Sequence, residues 1–229
     1  MPGYLNTYIE KKMPSNGWKF LTNVRPFIGS QGNVKYVLLS LKWAKHLEMP
    51  SSSDSLPKDI SDLTKINMMS NYWGTDVVEE GNLQGRFTKF RGEIGTRKVM
   101  KLNDINDFEW NQGISEENLE KLKAEMEENN SFNSNYLRIF KIKDDEGKYF
   151  KNKGNGILQL DDERHTLDKE EVRELILNGK LEKNTKKLVL EKKTKKELLP
   201  QYWFDFLELS NQRFWHKKEN IRFIFYWTH

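Results

Sequence analysis

The sequence predicts an α+β fold, in which antiparallel hairpins form the sheets and helices pack on one face. Two observations lead to this class. Strand-like and helix-like segments come in runs and do not alternate regularly, which is typical of α+β proteins. The segment 200–229 also holds ten of the 28 aromatic residues, in the pattern of a helix followed by a strand. This C-terminal aromatic helix and strand are expected to complete the core.

The aromatic segment changes its period part-way along. After Pro200, apolar residues recur three and four positions apart, which is the period of a helix. In Ile221–Trp227 the period becomes two, which is that of a strand. Burying one large apolar side chain contributes roughly 1.5–3 kcal/mol, so this end of the chain should supply much of the core. The helical stripe consists of Trp203, Phe206, Leu207, Ser210 and Phe214.

The first hundred residues contain a predicted strand, two helices and a hairpin. Trp18–Val24 forms a short apolar run among turn residues. Asn33–Glu48 is predicted to be one helix because its apolar residues form a single stripe. A second helix follows Pro57, since proline is tolerated in a first helical turn. Arg86–Arg91 and Thr96–Leu102 are predicted to be the two arms of a hairpin.

A predicted surface helix precedes the candidate domain boundary. Ser115 can cap a helix that extends to Glu128, with acidic residues in its first turn, where the helix dipole favours them. The polar segment 129–135 then interrupts the pattern. We therefore predict an N-terminal α+β region, 1–129, and a C-terminal α+β region, 130–229, or a single continuous domain.

The helix Lys169–Leu177 has the most complete local signal in the second half. Asp168 can cap it, and Glu171 completes a capping box. Asn178 and Gly179 end it. The other predicted elements are a hairpin made by Tyr136–Lys143 and Lys148–Lys151, a strand at Ile157–Leu160 and a strand at Lys187–Lys192.

Composition excludes several classes of function. The absence of cysteine rules out disulfides, thiolate metal sites and a cysteine nucleophile. Neither a signal-peptide pattern nor an apolar run of membrane-spanning length occurs, which predicts a cytoplasmic protein without a membrane partner. Glycine-rich phosphate loops, G-x-S-x-G and H-E-x-x-H are missing, which argues against the common nucleotide hydrolases, α/β-hydrolases and zinc proteases. Abundant lysine and asparagine are typical of AT-rich genomes, such as those of phages and plasmids.

Charge alternates in blocks along the chain, around a net charge of +4. In one interpretation, basic strands and acidic helices neutralise each other. In the other, the basic blocks share a face, where cations interleaved with aromatic residues track phosphates and stack bases. The candidate nucleic-acid-binding residues are Arg86, Lys89, Arg91, Arg97, Lys98, Lys192, Lys193, Lys195 and Lys196.

A second candidate site combines acidic residues from two separate segments of the chain. Asp161 and Asp162 follow the strand 157–160, and Glu191 and Lys193 end a later strand. An E-x-K strand end preceded by an aspartate resembles the core of PD-(D/E)XK nucleases, although a helix intervenes here between the two strands. The resemblance implies that Asp161, Asp162 and Glu191 would hold Mg²⁺. It also implies that Asp162, Glu191 and Lys193 would be catalytic.

The leading hypothesis is a non-enzymatic intracellular binding protein that needs no cofactor. Its partner would be nucleic acid or a nucleic-acid-handling protein complex, and a phage or plasmid inhibitor or accessory factor would suit the composition. One alternative is the Mg²⁺-dependent nuclease. The other is a structural assembly subunit, which would present a large apolar interface.

Overall fold

Every strand pair that the structure describes is antiparallel, and helices accompany the sheets, so the predicted α+β class is confirmed. The structure is a computed structural model of the 229-residue chain. It describes residues 5–14, 17–24, 34–54, 56–70, 77–80, 88–90, 96–128, 134–154, 157–159, 166–183 and 186–227.

In chain order, the described strands are β1 (Leu5–Met13), β2 (Gly17–Asn23), β3 (Ser52–Ser53), β4 (Val77–Glu80), β5 (Thr88–Phe90), β6 (Thr96–Lys101), β7 (Phe140–Lys143), β8 (Lys151–Gly154), β9 (Ile157–Gln159), β10 (Thr166–Leu167), β11 (Lys180–Lys183), β12 (Lys186–Lys192) and β13 (Ile221–Trp227). The described α-helices are α1 (Val34–Leu38), α2 (Asp62–Ser70), α3 (Leu102–Asn106), α4 (Glu116–Glu128), α5 (Lys169–Asn178), α6 (Lys195–Leu198) and α7 (Gln201–Phe214). Among these described helices, none has the length and apolar character needed to cross a membrane.

The chain forms two compact units, each discontinuous in sequence. Unit 1 comprises Met1–Leu39, Met49–Phe108 and Pro200–His229. Unit 2 comprises Ser40–Glu48 and Glu109–Leu199. Each unit draws on residues from both sides of residue 129, and the boundary predicted at that position stays a prediction.

Strand β13 is the centre of the five-stranded sheet of unit 1, whose order is β2-β1-β13-β6-β3. It pairs with β1 on one side and with β6 on the other. All seven of its residues are buried. The prediction that the C-terminal strand completes the core is therefore confirmed.

Both faces of β13 are covered. On one face, Phe225 packs on Trp203 of α7 with ring centroids 5.9 Å apart, and Phe223 packs on α7 as well. On the other face, Ile224 belongs to a buried cluster with Met68 of α2. The helices are thus not confined to one face, which differs from the sequence-based expectation. The physical reason is that an almost wholly apolar strand has no face to leave in water.

A buried ion pair joins β13 to β1. Glu10 is fully buried and lies directly opposite Arg222, which is 5% exposed. One carboxylate oxygen of Glu10 accepts from Arg222 Nε at 2.8 Å, and the other accepts from Thr64 Oγ1 at 2.6 Å and from the backbone N–H of Ser61 at 2.9 Å. The guanidinium also binds Asp59 and stacks on the ring of Trp18. This network fixes the register of the two strands and ties the segment before α2 to the sheet.

Two local predictions in unit 1 are wrong. The helix predicted over Asn33–Glu48 ends at Leu38, because the backbone turns through positive φ at Ser40 and Lys42. Its apolar residues serve the cores of different units, and that burial overrides the single stripe. The described parts of the predicted hairpin arms Arg86–Arg91 and Thr96–Leu102 do not pair with each other either, since β5 pairs with β4 while β6 pairs with β13 and β3.

Helix α5 of unit 2 forms as its local signal predicts. The side chain of Asp168 accepts from the backbone N–H groups of Glu170 and Glu171, and the carboxylate of Glu171 accepts from the backbone of Asp168. Gly179 ends the helix at a φ of 75°, a left-handed conformation that favours glycine. All of these contacts lie within about three turns of chain, so short-range sequence is sufficient to specify them.

Two glutamates attach the N-terminal part of unit 2 to helix α4. The carboxylate of Glu125 binds Lys45 at 2.6 Å and His46 at 2.9 Å. The carboxylate of Glu48 accepts from the side-chain amide of Asn118 at 2.8 Å. These contacts explain how a short stretch of the N-terminal half becomes part of this unit.

The buried pair Glu10–Arg222 gives the first testable prediction. Glu10→Leu and Arg222→Met should each lower the free energy of unfolding by about 3–5 kcal/mol, because each leaves an uncompensated buried charge. The double variant should lose less than either single variant, since no buried charge then remains unpaired and Asp59, which also loses Arg222, is exposed to water. Urea denaturation of the four proteins measures the coupling. Single losses that simply add in the double variant would contradict it.

Candidate functional site

One face of the sheet β11-β12-β7 in unit 2 is exposed and rich in lysine. Residues directly opposite each other in antiparallel strands lie on the same face. The pairing accordingly aligns Lys180, Val189 and Lys143 in one row across the three strands. Four lysines and two glutamates share this surface, a net charge of +2. We call it the lysine face, and it consists of Lys141, Lys143, Lys180, Glu182, Lys187, Val189 and Glu191.

The opposite face of the same sheet belongs to the core. Phe140 and Ile142 of β7 and Leu188 of β12 are 2–3% exposed. Helix α5 packs against β11 and β12. On the lysine face, by contrast, Val189 remains 41% exposed. The lysine face is therefore directed away from the core of unit 2.

Ion pairs order the β7 edge of the lysine face. Lys143 binds Glu191, and the hydroxyl of Tyr149 donates to the second oxygen of the same carboxylate at 3.0 Å. These two hydrogen bonds lower the pKa of Glu191, the bond from Lys143 having the larger effect. Lys141 pairs with Glu197, which raises the pKa of the Lys141 ammonium. The ring of Tyr149, 47% exposed, is thus held by its hydroxyl while part of its surface stays open.

A cavity of about 240 Å³ lies beside β7, next to Tyr149. Its apolar wall consists of Leu137, Phe140, Ile142, Tyr149 and Phe150. Lys141 and Lys193 complete the lining. We call it the Lys193 pocket. It combines an apolar and aromatic wall with positive charge, the composition of a site for a ligand that has an apolar part and an anionic part.

Lys193 differs from Lys141 and Lys143 in making no direct ion pair with a described residue. Its side chain makes no hydrogen bond or ion pair with any residue that the structure describes, although it is only partly exposed. Burial lowers the pKa of the Lys193 ammonium, the carboxylate of Glu197 raises it, and the charges of Lys141 and Arg138 lower it further. Among the described residues, the pocket therefore holds a cation without a direct ion-pair partner.

Only part of the first predicted basic block can be placed. Arg86 and Arg91 lie outside the described residues. Lys89 and Arg97 belong to β5 and β6, and only their backbone is described. Lys98 is half-buried on β6, and burial lowers the pKa of its ammonium. The role of this block in binding nucleic acid stays a prediction.

The four lysines of the second block do not share one surface. Lys192 lies opposite Phe140, on the core side of the sheet, and pairs with Glu116. Lys195 is only 3% exposed and pairs with Glu48, 3.4 Å away. Lys196 is exposed, and Lys193 faces its pocket. The reason is that the block crosses from a strand into a helix, since only Lys192 belongs to β12 while Lys195 and Lys196 lie in α6.

The residues of the nuclease alternative are only partly described. Asp161 and Asp162 lie outside the described residues. Both oxygens of Glu191 are engaged by Lys143 and Tyr149, and β9 and β12 belong to different sheets. In the part of the chain that the structure covers, no three His, Asp or Glu side chains come together as a metal site. Catalysis by Asp162, Glu191 and Lys193 with Mg²⁺ stays a prediction.

Sequence reasoning missed most of the lysine face. A run of basic residues does not by itself show which of its members share a face with lysines of other strands. The alternation Phe140-Lys141-Ile142-Lys143 carries the missing signal, because its two apolar residues enter the core and its two lysines are left on the other side. Applied to β12, the same period-two argument separates Glu191 from Lys192.

Comparisons with known proteins identify no relative of this chain. A scan against protein-family models, a search of curated proteins and a search of solved structures each find no match to this chain. A function must therefore be argued from the chemistry of the lysine face and the Lys193 pocket.

The lysine pKa values can be tested by NMR of the side-chain ε-carbons. Lys193 should titrate at a lower pH than Lys141 and Lys143, because burial lowers its pKa while the hydrogen bonds that they donate to their glutamate partners raise theirs. Single Lys→Arg variants assign the three signals. A Lys193 signal that titrates together with the other two would show that its ammonium is hydrated or paired.

Lys193 should also cost stability at neutral pH. A folded-state pKa below that of the unfolded chain means that the unfolded state binds this proton more tightly, so stability rises with pH through that window. Lys193→Met should accordingly leave the melting temperature unchanged or raise it. A fall of several degrees in a thermal melt would instead show that the ammonium makes a stabilising contact.

Proposed function

We propose that the protein is a non-enzymatic nucleic-acid-binding protein that uses the lysine face of unit 2. One observation carries the proposal: an exposed β-surface with four lysines adjoins a pocket with an exposed aromatic ring and a cation that makes no direct ion pair with a described residue. Cations that follow a phosphate backbone, combined with aromatic rings that stack on bases, are the common elements of sequence-tolerant nucleic-acid binding.

The spread of the positive charge favours a polyanion over a small anion. Neighbouring strands lie about 4.8 Å apart and alternate residues of one strand about 6.6 Å apart. Lys180 and Lys187 therefore lie at separate places on the surface, away from the Lys193 pocket at the β7 edge. A small anion could reach one or two of these ammonium groups, whereas a phosphate backbone can contact several of them at once.

The partly neutralised charge is compatible with this role. Lys141 pairs with one glutamate and Lys143 with another. Lys180, Lys187 and Val189, by contrast, are exposed. Ordered ion pairs at one edge hold the aromatic ring, and exposed lysines elsewhere on the face supply attraction to phosphate. Mobile exposed lysines contribute affinity mainly by releasing counter-ions.

The salt dependence of binding tests the proposal. Fluorescence anisotropy should show that the wild-type protein binds labelled DNA or RNA, and log K should fall linearly with log[salt]. Lys180→Gln with Lys187→Gln should flatten that slope by about 1.4 for a single strand, because each lost phosphate contact removes roughly 0.7. The labelled DNA and RNA should remain uncleaved both with Mg²⁺ and with EDTA.

A matched control separates surface geometry from total charge. Lys121→Gln with Lys123→Gln removes the same charge from helix α4, where these lysines pair with glutamates of their own helix. This variant should keep the wild-type slope. The proposal fails if the wild-type protein binds no DNA or RNA at low salt, a result that would point to a protein partner. It also fails if Mg²⁺-dependent cleavage is seen.

A further inference from the structure

We infer that the Lys193 pocket receives one unstacked nucleotide of a single-stranded nucleic acid, with the base against Tyr149 and the adjoining phosphate near Lys193. This rests on the proposed nucleic-acid binding. It adds that the ligand is single-stranded and that the pocket, rather than the open surface alone, recognises a base.

The size and wall of the pocket carry the first step. A cavity of about 240 Å³ is smaller than the usual site of a drug-sized ligand, and it can hold a planar ring but no segment of duplex. Leu137, Ile142 and Phe150 give it an apolar wall, and the ring of Tyr149 stands partly open beside them. A nucleobase matches such a wall, because every base has an apolar π-face that stacks on aromatic rings.

The charge of the pocket carries the second step. The Lys193 ammonium makes no direct ion pair with a described residue, and Lys141 and Arg138 add positive charge around it. Glu197 binds Lys141 and attracts Lys193 only from a distance, without a direct ion pair to it. An apolar wall next to a cation that makes no ion pair with a described residue suits a ligand with a flat ring and a negative group close to it, which is the chemistry of one nucleotide.

The fixed position of Tyr149 carries the third step. Its hydroxyl donates to Glu191, which Lys143 also binds, so the ring is held at the edge of the sheet before any ligand arrives. Stacking on a ring that is already ordered avoids the entropic cost of ordering it. A base in a duplex must first be unpaired and unstacked at a cost of a few kcal/mol, whereas a base in a single strand largely escapes that cost.

Oligonucleotides with and without bases test the inference on the wild-type protein. The probes are a labelled oligothymidylate of about twelve nucleotides, an abasic strand with the same number of phosphates, and a duplex of that length. The thymidylate should bind roughly 5- to 150-fold more tightly than the abasic strand, the range expected for stacking one base. It should also bind more tightly than the duplex.

Variants locate the effect in the pocket. Tyr149→Ala should abolish the preference for the thymidylate over the abasic strand, whereas Tyr149→Phe, which keeps the ring, should retain most of it. Lys193→Met should weaken thymidylate binding and flatten its salt slope by about 0.7. Lys123→Met is the matched control, because that side chain is also only partly exposed, lies on helix α4 and pairs with Glu120, and it should leave the preference unchanged. Circular dichroism confirms that each variant is folded.

The outcomes separate this inference from the proposed function. Equal affinity for the thymidylate and abasic strands, with a normal salt slope, would overturn base recognition while leaving binding by the lysine face intact. A preference that survives Tyr149→Ala would also overturn it. If neither strand binds at low salt, the proposed function fails and this inference fails with it; capture of a peptide with a free carboxylate would then identify the pocket as a protein-binding site.

Discussion

The ion pair between Glu10 and Arg222 is the constraint on which unit 1 depends. Both charges are removed from water, so each must remain opposite the other, and shifting β13 by one residue along β1 would separate them. The register of β13 on β1 determines which of its side chains point to each face of the sheet. Phe223 and Phe225 meet α7, and the alternate residues meet α2. A polar contact at one end of the strand thereby specifies the apolar packing along its whole length.

In contrast to the buried ion pair of unit 1, most charged side chains of unit 2 lie near the surface. Its lysines and glutamates are mostly paired near the surface, where a single pair contributes little to stability. Lys193 is the exception among the described residues, since it is partly buried beside apolar groups and makes no direct ion pair there. A charge in such a position costs stability, and an anion placed beside it would offset that cost. Tyr149, held by Glu191, and the Lys193 ammonium thus have features expected of a preformed site.

What could be predicted from the sequence depends on the range of the interactions. The capping box of Asp168 and the period-two pattern of β13 are local, and both were found. The end of the first helix at Leu38 was not, because the residues beyond it pack into another unit. The burial of Lys195 depends on a glutamate far away in sequence, so a count of basic residues assigns that lysine to the surface. The lysine face itself was accessible from alternation in β7 and β12, but its third strand and its pocket follow from tertiary pairing alone.

The central place of β13 also has a consequence for synthesis. The ribosome makes β1 and β6 long before the strand that separates them, so during translation both wait with exposed backbone groups where β13 will lie. Unit 2 needs nothing beyond residue 199 and can fold while the sheet of unit 1 is still open. The chain is therefore expected to mature from its middle outward. The unpaired edges of β1 and β6 make the interval before residues 221–227 emerge the period of greatest exposure to aggregation and of greatest need for a chaperone.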